Sequence, residues 1–279
     1  MRPQRLLTTA ALLATLSFGT AAQADATLTF SDSRSPQQTS FLIHDGRILM
    51  QGQGRDGSKF SSIYDSGRKQ FIMIDHARKR YYTMDEQTVE KQMEMMDRAR
   101  QMMKQQLEAQ LKDMPPEQRK MMEQRMQAMF AKPEPAPAPR VEVKDTGERR
   151  DANGIPCRVF RIIADGKPER ETCVAKPRDL GLSDADYRAL RSMFDYMSRM
   201  ADRFASRMGG MHRQNTAELM SHIDGIPVSM KHLTKGYESR LEGLSTDALD
   251  PSLFQVPPGF QKVDPLAEME RNMPKGAAH

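Results

Sequence analysis

Between Thr27 and Met84 the chain alternates short apolar and polar steps, with turn residues between the runs. Thr27–Phe30, Thr39–His44, Arg47–Gln51, Phe60–Tyr64, Gln70–Ile74 and Arg80–Thr83 read as strands with one buried face. Asp45-Gly46 is a tight hairpin signal. Asp56-Gly57, Ser66-Gly67 and the stretch His76-Ala77-Arg78-Lys79 supply the other breaks. A break about every ten residues predicts an antiparallel meander.

The period changes at Asp85. Glu86 to Met114 lacks Gly and Pro and is rich in Gln, Glu, Met, Lys and Arg, which predicts a long helix. Val89, Met93, Met96, Met103, Leu107, Leu111 and Met114 fall on one stripe, with Arg100 interrupting it. Pro115-Pro116 ends that helix and opens another, reaching about Ala131, so the pair reads as a helical hairpin. Residues 133–139, alternating Pro with Ala or Glu, form a stiff linker.

Strands resume at Val141–Val143. Ile155–Ile163 and Lys167–Ala175 flank Ala164-Asp165-Gly166, a three-residue loop with Gly166 in the left-handed position. That loop pairs Ile163 with Lys167 and, counting outward, sets Cys157 opposite Cys173. A Cys157–Cys173 disulfide is the expectation. A third helix starts at the capping sequence Ser183-Asp184-Ala185-Asp186, with a seam of Tyr187, Leu190, Phe194, Met197, Ala201, Phe204, Met208 and Met211. A short helix at Ala217–His222 and strands at Pro227–His232, Ser239–Leu244 and Phe254–Val256 follow. Pro265 to His279 reads as a frayed tail. Asn153-Gly154-Ile155-Pro156-Cys157 and Asp224-Gly225-Ile226-Pro227-Val228 share a spelling that suits strand entry.

Composition narrows the class of protein. The chain has 279 residues, 23 Met, no Trp, 2 Cys and a net charge of +5. Two cysteines are too few for a disulfide scaffold, and the charge is too small to point to nucleic acid. The first 24 residues look like a signal peptide: Arg2 and Arg5, an apolar stretch from Leu6 to Ala21, then Ala22-Gln23-Ala24. Cleavage is expected between Ala24 and Asp25. No Cys follows that site to carry a lipid, and no later run is long enough to span a membrane. A soluble periplasmic chain without a transmembrane span is the expectation.

Catalytic motifs are not evident. Gly52-x-Gly54-x-x-Gly57 has dinucleotide-site spelling, but a strand follows where that motif needs a helix. His44, His76, His212, His222 and His232 are scattered, and Asp45, Asp75 and Asp85 suit turns. No cofactor is implied. Seventeen of the 23 Met lie in Met84–Met129 and Met193–Met220. Thioethers are soft ligands for Cu(I), and Met95, Met96, Met102 and Met103 form a candidate copper set. Met equally fills adaptable helix faces or makes a contact surface.

The meander with Phe41-Leu42-Ile43-His44-Asp45-Gly46-Arg47-Ile48-Leu49-Met50 resembles an exported bacterial family of unknown function. Ile63-Tyr64-Asp65, Phe71–Asp75, Lys79–Met84, Gly154-Ile155-Pro156-Cys157 and the ending Leu253–Phe260 carry the same likeness. That family is similar to the LolA/LolB-like lipoprotein carriers. The resemblance implies an α+β fold: a curved antiparallel open half-barrel with helices over one face, plus an inserted Met-rich hairpin. The sheet domain would comprise residues 25–85 and 140–264 with a helix over 183–209. The hairpin would span 86–132, the linker 133–139 and the tail 265–279. Phe41, Ile43, Ile63, Phe71, Ile72, Phe194 and Phe204 are candidate core or cavity lining. The implied role is non-enzymatic binding of a lipid or other hydrophobic ligand. Cu(I) binding or oxidant buffering, and docking to an envelope protein partner through the hairpin, are the alternatives.

Overall fold

A computed structural model of the chain describes residues 25–53, 59–112, 114–130, 140–208 and 223–272. The segment read as a signal peptide, the Pro-Ala linker, the short helix at 217–222, His212, His222 and the last seven residues lie outside them. Twelve strands form one sheet: β1 (Ala26–Asp32), β2 (Ser35–His44), β3 (Arg47–Gln53), β4 (Lys59–Asp65), β5 (Gln70–Asp75), β6 (Arg80–Met84), β7 (Val141–Ala152), β8 (Ile155–Ala164), β9 (Lys167–Ala175), β10 (Ile226–His232), β11 (Glu238–Ser245) and β12 (Gln261–Lys262). Their order is β12-β6-β5-β4-β3-β2-β1-β11-β10-β9-β8-β7. Every pairing is antiparallel except β12 with β6, and the sheet stays open. The helices among the described residues are α1 (Glu86–Lys112), α2 (Pro116–Phe130), α3 (Asp184–Met208) and α4 (Pro265–Asn272). The fold is α+β.

Two side-by-side ladders explain the layers. Ile43, Ile48, Tyr64, Phe71 and Met84 line up across β2 to β6 on one face. Their neighbours Leu42, Leu49, Ile63 and Ile72 line up on the other, because strand side chains alternate. α3 and the start of α1 cover the first face. Phe254, Leu249, Val256 and Phe260 cover the second. Both faces therefore need a cover, and the chain supplies two different ones.

An aromatic triangle holds α3 to the first face. Ring centres of Tyr64, Phe71 and Tyr196 are 5.0–5.9 Å apart. The Tyr196 hydroxyl donates to the carbonyl of Met84 at 3.1 Å, and burial pushes its pKa up to about 12. Arg199 and Arg203 pair with Glu86 and Glu90, tying α3 to α1. These contacts rotate the buried line of α3 to Leu190, Met193, Tyr196 and Met200, so Met197 of the expected seam is exposed. On α1 the buried positions are Val89, Met93, Met95 and Leu111. Most positions from Met96 to Gln110 are exposed, which removes Met96 and Met103 from the predicted stripe.

Local signals set the turns. Asp45-Gly46, Asn153-Gly154 and Asp165-Gly166 all have positive φ at both positions, the type I′ geometry of two-residue hairpins. Asp65 and Asp75 each accept from the main-chain N–H three residues on, with Lys69 and Lys79 in the left-handed region. The two loops share the spelling Asp-x-x-Arg-Lys. Gly225 differs from Gly154 despite the shared spelling: at φ 139° it is pressed so close to Ala175 that a Cβ would sit 2.5 Å from its carbonyl oxygen.

Three expectations at the chain's later elements change. Phe254–Val256 is not a strand: Pro251–Phe254 is a 3-10 turn capped by Asp250. Pro265–Asn272, expected to fray, is helical, and Glu268 pairs with Arg80 at 2.6 Å. The disulfide Cys157–Cys173 is present, with Cα atoms 5.4 Å apart, but the register differs. The two-residue turn pairs Ala164 with Lys167, and a bulge at Ile162/Ile163 adds a further shift. Cys173 therefore faces Val159, and the bridge joins a diagonal pair. Replacing both cysteines by Ser is expected to cost about 3 kcal/mol in a urea unfolding curve.

Candidate functional site

A cleft of about 260 Å3 lies between α3 and the strands β1, β2, β10 and β11. Leu28, Leu190 and Ile226 are buried at its floor, and Phe30, Phe41 and Phe194 form half-buried walls. Phe30 and Phe41 meet edge to face, 5.8 Å apart at 88°. Bulges explain why the sheet opens here. β1 shifts register against β11 between Thr29 and Phe30, and against β2 between Phe30 and Asp32. β10 shifts against β9 between Pro227 and Ser229. Each bulge bends its strand and adds twist.

The mouth is polar and its charge is spent. Ser31, Thr39, Ser229 and Ser239 present hydroxyl-bearing positions. Asp32 is the one ionisable lining residue among the described residues. It accepts from the Arg34 guanidinium at 2.6 and 2.9 Å and from its main-chain N–H at 2.9 Å. The guanidinium bonds hold the Asp32 carboxyl below its usual range. Arg34 in turn lies 4.0 Å from the centre of the Tyr237 ring. An apolar group fits such a site, since it gains from leaving water and leaves no charge unpaired.

The predicted lining residues divide. Phe41 and Phe194 line the cleft. Ile43, Phe71 and Phe204 pack in the core below the helices. Ile63 and Ile72 are on the opposite face, under the segment around Phe254, because they sit one residue out of phase with Tyr64 and Phe71. Phe30 and Leu28 were missed. Their alternation in β1 was visible, but the bulges that aim Phe30 into the cleft leave no mark in composition. The four candidate copper ligands do not share one environment. Met95 is 8% exposed, whereas Met96, Met102 and Met103 are 42%, 43% and 48% exposed.

The described histidines have separate surroundings. The His44 Nδ1 is 2.7 Å from Asp25 Oδ1, His76 Nε2 is 2.7 Å from Ser61 Oγ, and His232 is buried. No group of three or more His, Cys, Asp or Glu suited to a metal occurs among the described residues. No described helix is long and apolar enough to cross a membrane.

Comparison with known proteins assigns a family. The family model described as Domain of unknown function (DUF4412) matches residues 68–260, more than half of the sequence. The chain belongs to the DUF4412 family. No curated protein matches it. A solved structure of PNGF-II is a distant neighbour of this DUF4412 protein, with a TM-score of 0.39 and 10% identity. That match covers 88% of the present chain and 32% of PNGF-II, so the DUF4412 protein spans about a third of its length.

Two strand positions beyond Met230, the DUF4412 protein buries a titratable group. His232 is 1% exposed, its Nδ1 accepts from the Lys235 N–H at 3.3 Å, and its Nε2 lies 3.4 Å from Glu169 Oε1, a contact that by itself would raise the pKa. Burial first, and then the Arg170 guanidinium, lower its pKa below the ordinary 6.5. The unfolded chain thus takes up a proton that the folded one refuses, so stability is lost as pH falls below about 6.5. Denaturant curves from pH 8 to 5.5 are expected to show that loss, and His232→Gln to reduce it.

Proposed function

We propose that the protein is a non-enzymatic binder of a hydrophobic group, taken up in the cleft between α3 and β1, β2 and β10. The observation that carries this reading is the combination of apolar floor, aromatic walls and neutralised mouth. Leu28, Leu190 and Ile226 meet an apolar chain, while Phe30, Phe41 and Phe194 wrap it. Asp32 is already paired with Arg34, so a charged headgroup finds no free partner there. On this reading the open sheet is a variant of the LolA/LolB-like half-barrel, and the chain works in the periplasm after removal of residues 1–24. The Cys157–Cys173 disulfide is consistent with an exported chain.

A second reading gives α1 and α2 a docking role toward an envelope protein. Exposed Met96, Met102, Met103 and Met121 support it, since Met adapts to varied apolar surfaces.

N-phenyl-1-naphthylamine, a neutral apolar dye, tests the cleft. Wild-type protein is expected to enhance its fluorescence, and Phe41→Asp or Phe194→Glu to weaken binding at least tenfold. No enhancement, or equal binding by both variants, would overturn the reading. Phe194→Trp adds a direct probe, because the chain contains no other Trp. Its emission should shift to the blue when decane, a non-fluorescent alkane, is added.

A further inference from the structure

A second cavity, of about 680 Å3, opens where β7, β8 and β9 end beside the 3-10 turn Pro177–Leu180 and the first turn of α3. Its wall is built from cations. Arg149 stands directly across from Arg158 in the β7–β8 ladder, and Arg158 directly across from Val174. Lys176 follows Val174 by two residues and Arg178 by four, and all four cations line the cavity. Like charges set opposite each other weaken a sheet unless something neutralises them.

Two of these cations have a carboxylate partner and two have none among the described residues. Arg158 pairs with Asp145, and Arg178 reaches Asp179 at 3.7 Å. Arg149 and Lys176 have no side-chain partner among the described residues. Of the lining carboxylates, Asp224 accepts from the Tyr187 hydroxyl at 2.8 Å, Asp179 serves Arg178, and Asp184 stands free at the rim. The remaining surface is apolar: Val174 is buried, and the Phe160 ring lies 5.6 Å from the Arg158 guanidinium carbon.

We propose that this cavity binds a phosphate group carried on a small organic body. Arg149 and Lys176 can donate to phosphate oxygens, which guanidinium forks match in pairs. The body rests on Phe160 and Val174, and Asp184 accepts from a hydroxyl or ammonium on it. A soluble phosphate ester and a phospholipid headgroup offer the same chemistry. The cavity's volume is in the range usual for small-molecule sites. This site does not depend on the hydrophobic cleft.

The test uses the full chain at constant ionic strength. Glycerol 3-phosphate is titrated by calorimetry, and vesicles of phosphatidylglycerol in phosphatidylcholine are tested by co-sedimentation. Wild type is expected to bind at least one probe, and Arg149→Ala with Lys176→Ala to lose at least tenfold. Glycerol 3-phosphate alone assigns a soluble ligand, and vesicles alone assign a headgroup. Arg68→Ala with Lys69→Ala, which removes the same charge from the β4–β5 turn, should bind as wild type does. Phe194→Glu should too, which separates this site from the cleft. Circular dichroism checks that each variant is folded. Wild type binding neither probe would overturn the proposal. So would undiminished binding by the Arg149/Lys176 variant, or equal loss in the Arg68/Lys69 control.

Discussion

The packing of Tyr196 against Tyr64 and Phe71 is the contact on which the rest of the architecture rests. A wide open sheet with apolar residues on both faces is unstable in water until each face is covered. The aromatic triangle fixes where α3 crosses, and the Tyr196 hydroxyl ties it to the Met84 carbonyl, one residue before the Asp85 cap of α1. α1 then starts in register with α3, and Glu86 meets Arg199 and Arg203. Removing the triangle would release both helices and with them the wall that Leu190 and Phe194 give the cleft.

Sheet and cleft were legible in the sequence to different degrees. The strands from β1 to β6 could be read because period-2 alternation and Asp-Gly turns both carry local physics. The faces could not be assigned so easily. Ile63 and Tyr64 are adjacent and both apolar, so alternation cannot say which one looks toward the helices. That choice is made by α3, far along the chain. The cysteine hairpin teaches a related lesson. Turn chemistry near Gly166 predicted a bridge correctly, but the register depended on a bulge at Ile162/Ile163 that no residue type announces. Phe30 was overlooked for the same reason, since bulges on both sides of it redirect its ring.

The two cavities divide the polar work of the protein. In the cleft the charges of Asp32 and Arg34 cancel each other, leaving an apolar interior with a neutral mouth. In the second cavity Arg149 and Lys176 have no side-chain partner among the described residues, and neither does Asp184. Both sit beside the first half of α3, one past Leu190 and Phe194 and the other at Asp184 and Tyr187. The helix thus borders both cavities while its burial is decided by a third region, the aromatic triangle.

The position of β1 has a kinetic meaning. It lies in the middle of the sheet, between β2, its immediate successor, and β11, more than two hundred residues later in the chain. Asp25 adds a second long-range tie, accepting from the N–H of Leu249 at 2.5 Å. The first strand to emerge therefore waits for nearly the last one. Until then its outer rim offers unsatisfied amides and carbonyls, which invites foreign partners. High sequence separation of this kind slows folding, since a long loop must close before its contacts form. Until β11 arrives, only hairpins between strands that are neighbours in sequence, such as β2 with β3 and β8 with β9, can close.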